Sequence, residues 1–256
     1  MRLPIWSRNM SKAEDALGKR IAVIPARGGS KRIPKKNIRL FHGKPIIQWV
    51  IEAAEAAGCF DSIVVSTDDP EVSAVARASG ALVPFVRPAE LSDDHTPTVP
   101  VIAHALKAME QSGATYQSAC CIYPTSVFVS SKMIFKGLSL LNAGGCNYVM
   151  SVIPYPHPIE RALRLASNNT VKMDNPQHVA TRSQDLQPSF HDAGQFYWGL
   201  SAAWISGAPI LSGETKAVVL EHTDARDIDN EQDWQIAEQL FSLRANQTYA
   251  VKVTKP

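Results

Sequence analysis

The residues Arg27-Gly28-Gly29-Ser30-Lys31 put two cations, a hydroxyl and two glycines into one short stretch, and Arg32, Lys35, Lys36 and Asn37 follow closely. Glycines let backbone amides approach an anion, while Arg and Lys supply the opposing charge. A polyphosphate suits that combination. The Gly-Lys-Ser/Thr ending of a P-loop is missing, and so is G-x-G-x-x-G. The chain carries a net charge of only +2, with no cationic stripe, which argues against nucleic acid as a partner.

A second group could work with the first. Asp227 and Asp229 flank Ile228, so in an extended segment both carboxylates face one side. Magnesium takes one or two carboxylates together with phosphate oxygens and waters. The other reading is capping, because a helical pattern starts at Glu231. Arg87 follows Phe85-Val86 at a strand end, where open α/β sheets place ligand contacts.

These groups need a scaffold, and the chain alternates strand patterns with helix patterns. Strands are expected at Ile21 to Ala26, Ser62 to Ser66, Ala81 to Phe85, Ala119 to Tyr123 and Tyr148 to Ile153. Helices are expected at Pro45 to Ala57, Pro70 to Ser79, Val99 to Met109 and Ser131 to Leu141. This is the rhythm of an α/β fold with a doubly wound, mostly parallel sheet. Pro154-Tyr155-Pro156-His157-Pro158 breaks it, and residues 159 to 190 are irregular, with a short strand candidate at Arg161 to Leu165. Strands return near Gln195 to Gly199 and Ala217 to Leu220, before an amphipathic helix from Glu231 to Leu243.

Apolar residues at 45% and charged residues at 20% of 256 describe a soluble globular chain. Residues 20 to 256 read as one domain and residues 1 to 19 as an extension, with Met10 an alternative start. No apolar run is long enough to span a bilayer, and the charged first twenty residues do not resemble a secretory signal. The cytoplasm is the expected compartment. Cys59, Cys120, Cys121 and Cys146 form no C-x-x-C pair and read as core residues, Cys120 and Cys121 on opposite faces of a strand. The seven histidines show no ligand spacing, so a zinc site is not expected.

Ala26-Arg27-Gly28-Gly29-Ser30-Lys31 followed by Lys36-Asn37 resembles the signature loop of the acylneuraminate cytidylyltransferases, which make CMP-activated nonulosonic acids. Val65-Ser66-Thr67-Asp68, Arg87-Pro88-Ala89-Glu90-Leu91, Tyr123-Pro124-Thr125-Ser126 and Asp227-Ile228-Asp229-Asn230-Glu231 agree, in family order, over about residues 20 to 243. Thr181 to Leu186 and His191 to Gly199 look like the pseudaminic acid branch. The resemblance implies a nucleotide-diphospho-sugar transferase fold, Rossmann-like, in which residues 154 to 190 form a small arm that pairs two subunits. It also implies attack of a sugar's anomeric hydroxyl on the α-phosphate of CTP, with loss of pyrophosphate.

In that reaction Arg27, Lys31 and Lys36 would neutralise charge, with Gly28, Gly29 and Ser30 as neutral donors. Asn37 would read the cytosine or hold the loop, and Arg87 and Thr98 would meet the nucleotide. Asp227 and Asp229 would hold Mg²⁺. Arg161 and Arg182 match basic positions suited to the sugar carboxylate. Tyr123 and His191 stand where sialate enzymes show Gln and Arg, and Gln195 could reach the same pocket, so pseudaminic acid is expected as substrate rather than Neu5Ac. Synthetases for sialic or legionaminic acid, and a non-catalytic nucleotide-sugar binder, are the alternatives.

Overall fold

The computed structural model describes residues 18 to 253, with side chains through Arg244. The expected extension at 1 to 19 lies almost wholly outside the described residues. The β-branched run after Arg20 forms β1 (Arg20–Pro25), and the cationic loop leads to a small ribbon, β2 (Leu40–Phe41) with β3 (Lys44–Pro45). Then come α1 (Ile46–Ala57), β4 (Ser62–Ser66), α2 (Pro70–Ala78), α3 (Thr98–Gln111), β5 (Ser118–Ile122), α4 (Ser131–Asn142) and β6 (Tyr148–Pro154). A hairpin follows, β7 (Leu163–Leu165) with β8 (Val171–Met173). The chain continues through β9 (Phe190–Leu200), α5 (Ser201–Ser206), β10 (Thr215–Val219) and α6 (Glu231–Val253).

The main sheet has the order β10-β6-β9-β5-β1-β4. Pairings β1–β4, β1–β5 and β6–β10 are parallel, while β9 runs antiparallel to both neighbours. Alternation divides the core into two layers. Ala22, Ile24, Cys120, Ile122, Phe196 and Trp198 face one layer, which takes Val50 and Ile51 of α1 and Ile134 and Leu138 of α4. Ile21, Val23, Ala119, Cys121 and Tyr197 face the other, with Ile102 and Leu106 of α3 and Trp204 of α5. Helices therefore cover both faces, and all four cysteines are buried. Each large apolar side chain so enclosed contributes about 1.5–3 kcal/mol.

Local signals set the ends. Asp69 accepts hydrogen bonds from the Glu71 and Val72 amides to start α2, and Pro70 is its first residue. Gly58, at φ 61°, closes α1. Three expectations change. The strand at Ala81 to Phe85 shrinks to one bridge between Val64 and Leu82, since Pro84 has no N–H for a ladder. Within Arg161 to Leu165 only β7 is extended, after a 3₁₀ turn over Ile159–Arg161. The strand at Gln195 to Gly199 is the inner half of the longer β9.

Between β6 and β9 the chain leaves the sheet. Pro154 pairs with Phe190, and the β7–β8 hairpin stands on its own. Leu163, Leu165, Val171 and Val179 are each more than 60% exposed there.

Candidate active site

After β1 the chain adds β4 on one side and β5 on the other, so the switch point lies at the carboxyl end of β1. Open α/β sheets bind ligands in the crevice there. A cleft of about 350 Å³ occupies the position, lined by Arg27, Ser30, Lys31, Lys36 and Asn37 from the loop after β1. Arg87, Thr98 and Tyr123 line the same cleft, and Asp227 and Asp229 close it.

The loop is seated by its neighbours. The Gly28 amide donates to Asp68 Oδ1 at 3.0 Å. A Cβ on Gly28 would come within 2.7 Å of the Asp69 Cβ, so a side chain there would displace the α2 cap. Gly29 faces open space. Asn37 is buried, and its Nδ2 donates to the Arg27 carbonyl at 2.9 Å, tying the loop's two ends together. Of the two roles expected for Asn37, this is the one the geometry displays. Lys35 turns away to Glu71.

Charges in the cleft are arranged in two groups. Arg27 Nη1 and Lys31 Nζ each lie 2.5 Å from the Asp94 carboxylate. Hydrogen bonds from Lys31 and Arg27, with their charges behind them, hold the Asp94 carboxyl down to about 2. Lys36 Nζ donates to the Ile228 carbonyl at 2.6 Å and lies 3.9 Å from Asp229 Oδ1. Desolvation lowers the Lys36 pKa, with the Asp229 and Asp227 charges opposing that shift. Arg32 Nη2 meets Asp229 Oδ1 at 2.8 Å.

Arg87 is 4% exposed and donates to Ser66 Oγ at 3.1 Å and to the Ser66 carbonyl, with no carboxylate bonded to it among the described residues. Burial pulls its pKa down to about 10. A cation held this way favours an incoming anion.

The Asp227-Ile228-Asp229 segment is pinned by Ile228, which is fully buried. Helix capping falls to Asn230, whose Oδ1 accepts from the Asp233 amide at 3.0 Å, while the Asp233 carboxylate accepts from the Asp229 amide at 3.2 Å. Neither carboxylate of the pair is therefore used in capping, and Asp229 is held instead by Arg32 at the cleft. Asp227 makes no ion pair among the described residues, and desolvation, then the Asp229 charge, pushes its carboxyl up. A carboxylate in that position is stabilised by a cation, so the pair fits a divalent ion. Among the described residues no group of three or more His, Cys, Asp or Glu side chains gathers for a metal. Phosphate oxygens and water would therefore complete its coordination.

The other expected sugar residues lie apart from this cleft. Arg161 and Arg182 stand on the exposed arm, Arg161 donating to the Thr181 carbonyl at 3.4 Å and Arg182 lying 3.7 Å from Asp185. The His191 ring packs on Tyr155 at 4.8 Å, with Nδ1 against the Asp192 carbonyl. Gln195 is buried, and its Nε2 donates to the carbonyls of Ala193 and Gly194 rather than entering the cleft. Asp93 and Asp94 line the cleft without having been expected. An acidic dipeptide on a loop carries no spacing signal that ties it to cations some sixty residues upstream.

This fold and cleft are those of a nucleotidyltransferase. Residues 21–243 match the model of the cytidylyltransferase family, and the chain belongs to that family. It is 38% identical to a pseudaminic acid cytidylyltransferase of Campylobacter jejuni subsp. jejuni serotype O:2, over 88% of this chain and 97% of that one. It is 32% identical to a CMP-N,N'-diacetyllegionaminic acid synthase of Legionella pneumophila, over 87% and 96%. Among solved structures it shares its fold with CMP:2-keto-3-deoxy-manno-octonic acid synthetase complexed with CTP, at TM-score 0.65 and 15% identity, covering 88% and 99% of the two chains. No helix among the described residues is long and apolar enough to cross a membrane.

Proposed function

We propose that this cytidylyltransferase transfers CMP from CTP to pseudaminic acid with release of pyrophosphate. The observation that carries the reading is the single cleft in which the cationic loop faces the Asp227–Asp229 pair, in a chain 38% identical to a pseudaminic acid cytidylyltransferase. The expected assay contains CTP, magnesium and pseudaminic acid. Pyrophosphate release with a CMP-sugar product supports the proposal, and release that does not depend on the sugar acid contradicts it.

The residues divide the work. Arg27 and Lys31 exchange Asp94 for the phosphates of CTP, and Arg87 offers a second, less solvated cation. Gly29 and Ser30 allow close approach of the loop, while Asn37 keeps Arg27 in place. Thr98 and Tyr123 form the wall on the other side. Asp227 and Asp229 would hold a magnesium ion, which when bound neutralises charge on the phosphates.

Lys36 reaches the carboxylate pair and the cleft together, so its charge counts most as negative charge grows during transfer. Lys36→Ala is expected to lower kcat by about 10² to 10³ with a small change in the Michaelis constant for CTP. Lys31, 81% exposed, is screened by water, and Lys31→Ala should cost about tenfold or less. Steady-state kinetics of both variants decide this. A rise in the Michaelis constant for CTP alone would reduce Lys36 to a tether.

The arm supplies the remaining parts. Its exposed Leu163, Leu165, Val171 and Val179 favour pairing with a second copy, and Arg161 and Arg182 would carry charge for the sugar carboxylate to that copy's cleft. A homodimer is expected in light scattering at micromolar concentration, and a monomer in the active preparation would contradict the pairing. The cytoplasm is the proposed compartment.

A further inference from the structure

One carboxylate bridges two cations of the phosphate loop. Asp94 Oδ1 meets Arg27 Nη1 and Asp94 Oδ2 meets Lys31 Nζ, each at 2.5 Å. Neither cation pairs with any other carboxylate among the described residues. Arg87 differs, since its guanidinium bonds oxygens of Ser66 and Leu91 alone among the described residues.

The loop between the 3₁₀ turn Ala89–Leu91 and α3 is shaped to present Asp94. Asp93 Oδ1 accepts from the His95 amide at 3.0 Å, and from the Thr96 amide and hydroxyl at 2.6 Å each. The Asp93 carboxylate therefore shapes its own turn. Asp94, the next residue, reaches across to the segment after β1 instead.

A pyrophosphate leaving this cleft has to give up Arg27 and Lys31, and two bare cations in a cleft would hold it back. A tethered carboxylate beside them offers both a partner at high effective concentration. The contact is weak enough to exchange. The side chains of Arg27 and Asp94 are 32% and 30% exposed and that of Lys31 is 81% exposed, so water screens both pairs. An anion then binds with its affinity reduced by the fraction of time the cations are paired internally. We infer that Asp94 is an internal counter-anion that reclaims Arg27 and Lys31 as pyrophosphate departs, and so speeds product release, a role that rests on the proposed reaction for the identity of the leaving group.

Asp94→Asn keeps the size and removes the charge. Titration calorimetry with inorganic pyrophosphate and magnesium is expected to show binding about three- to tenfold tighter than to the wild type. Inhibition of turnover by pyrophosphate should strengthen in the same ratio, and KM for CTP should fall with KM for the sugar acid within about twofold. Asp94→Glu, which keeps the charge, should stay near the wild type. Glu90→Gln removes a charge from the same loop without touching either cation, and should leave pyrophosphate affinity within about twofold. Unchanged or weaker pyrophosphate binding by Asp94→Asn would make Asp94 a mere support for the cations and overturn the inference. An equal gain in Glu90→Gln would also overturn it, because the effect would then be general charge. Failure of the wild-type chain to form any CMP-sugar would instead overturn the proposed function.

Discussion

Asp227→Asn is expected to keep the fold and lose about 10³ in kcat at limiting magnesium. The fold should survive because Ile228, not Asp227, packs into the core, and Asn230 caps α6. The activity should not, because a neutral amide binds a divalent ion poorly, and the charge neutralisation such an ion supplies is worth several kcal/mol, with 1.36 kcal/mol per tenfold. Asp229→Asn should lose activity similarly while also releasing Arg32. The pH dependence has a definite sign. Metal binding needs the ionised carboxylate, and Asp227 has its pKa raised, so activity should fall on acidification earlier than an ordinary aspartate would allow. Magnesium titrations of wild type and both variants measure this. Near-normal turnover of Asp227→Asn at limiting magnesium would remove the pair from the mechanism.

Much of the scaffold was legible because its strands are buried on both faces. Ile21 to Ile24 and Ala119 to Ile122 are continuous apolar runs, as central strands of a parallel sheet must be. The opposite direction of β9 was not legible, since nothing in Phe196-Tyr197-Trp198 records orientation. That run also hid Tyr197, which shares a core layer with Ile21 and Val23 but carries a polar tip. The expected cations and carboxylates do converge in one cleft, because the loop after β1 and the segment before α6 reach the same sheet edge. The sugar residues were harder to place. Arg161 and Arg182 lie on an arm whose role depends on what covers it, and Gln195 satisfies carbonyls of its own strand.

The largest effect expected is discrimination between sugar acids. Pseudaminic acid and Neu5Ac share the carboxylate and the reacting anomeric hydroxyl. In the proposed reaction Arg27, the lysines and the Asp227–Asp229 pair would meet only shared groups or the nucleotide, so they would not tell the two apart. Discrimination falls to groups that meet the ring and its substituents, and Tyr123 is the expected sugar residue that the structure places in the cleft. A site built to hydrogen-bond one pattern of polar groups rejects another by about 10⁴ or more, because mismatched buried groups stay unpaired. The decisive measurement is pyrophosphate release from CTP with magnesium and each sugar acid in turn, expressed as kcat/KM. A preference for pseudaminic acid of about 10⁴ over Neu5Ac is expected. Equal or higher efficiency with Neu5Ac, or with a legionaminic acid, would contradict it.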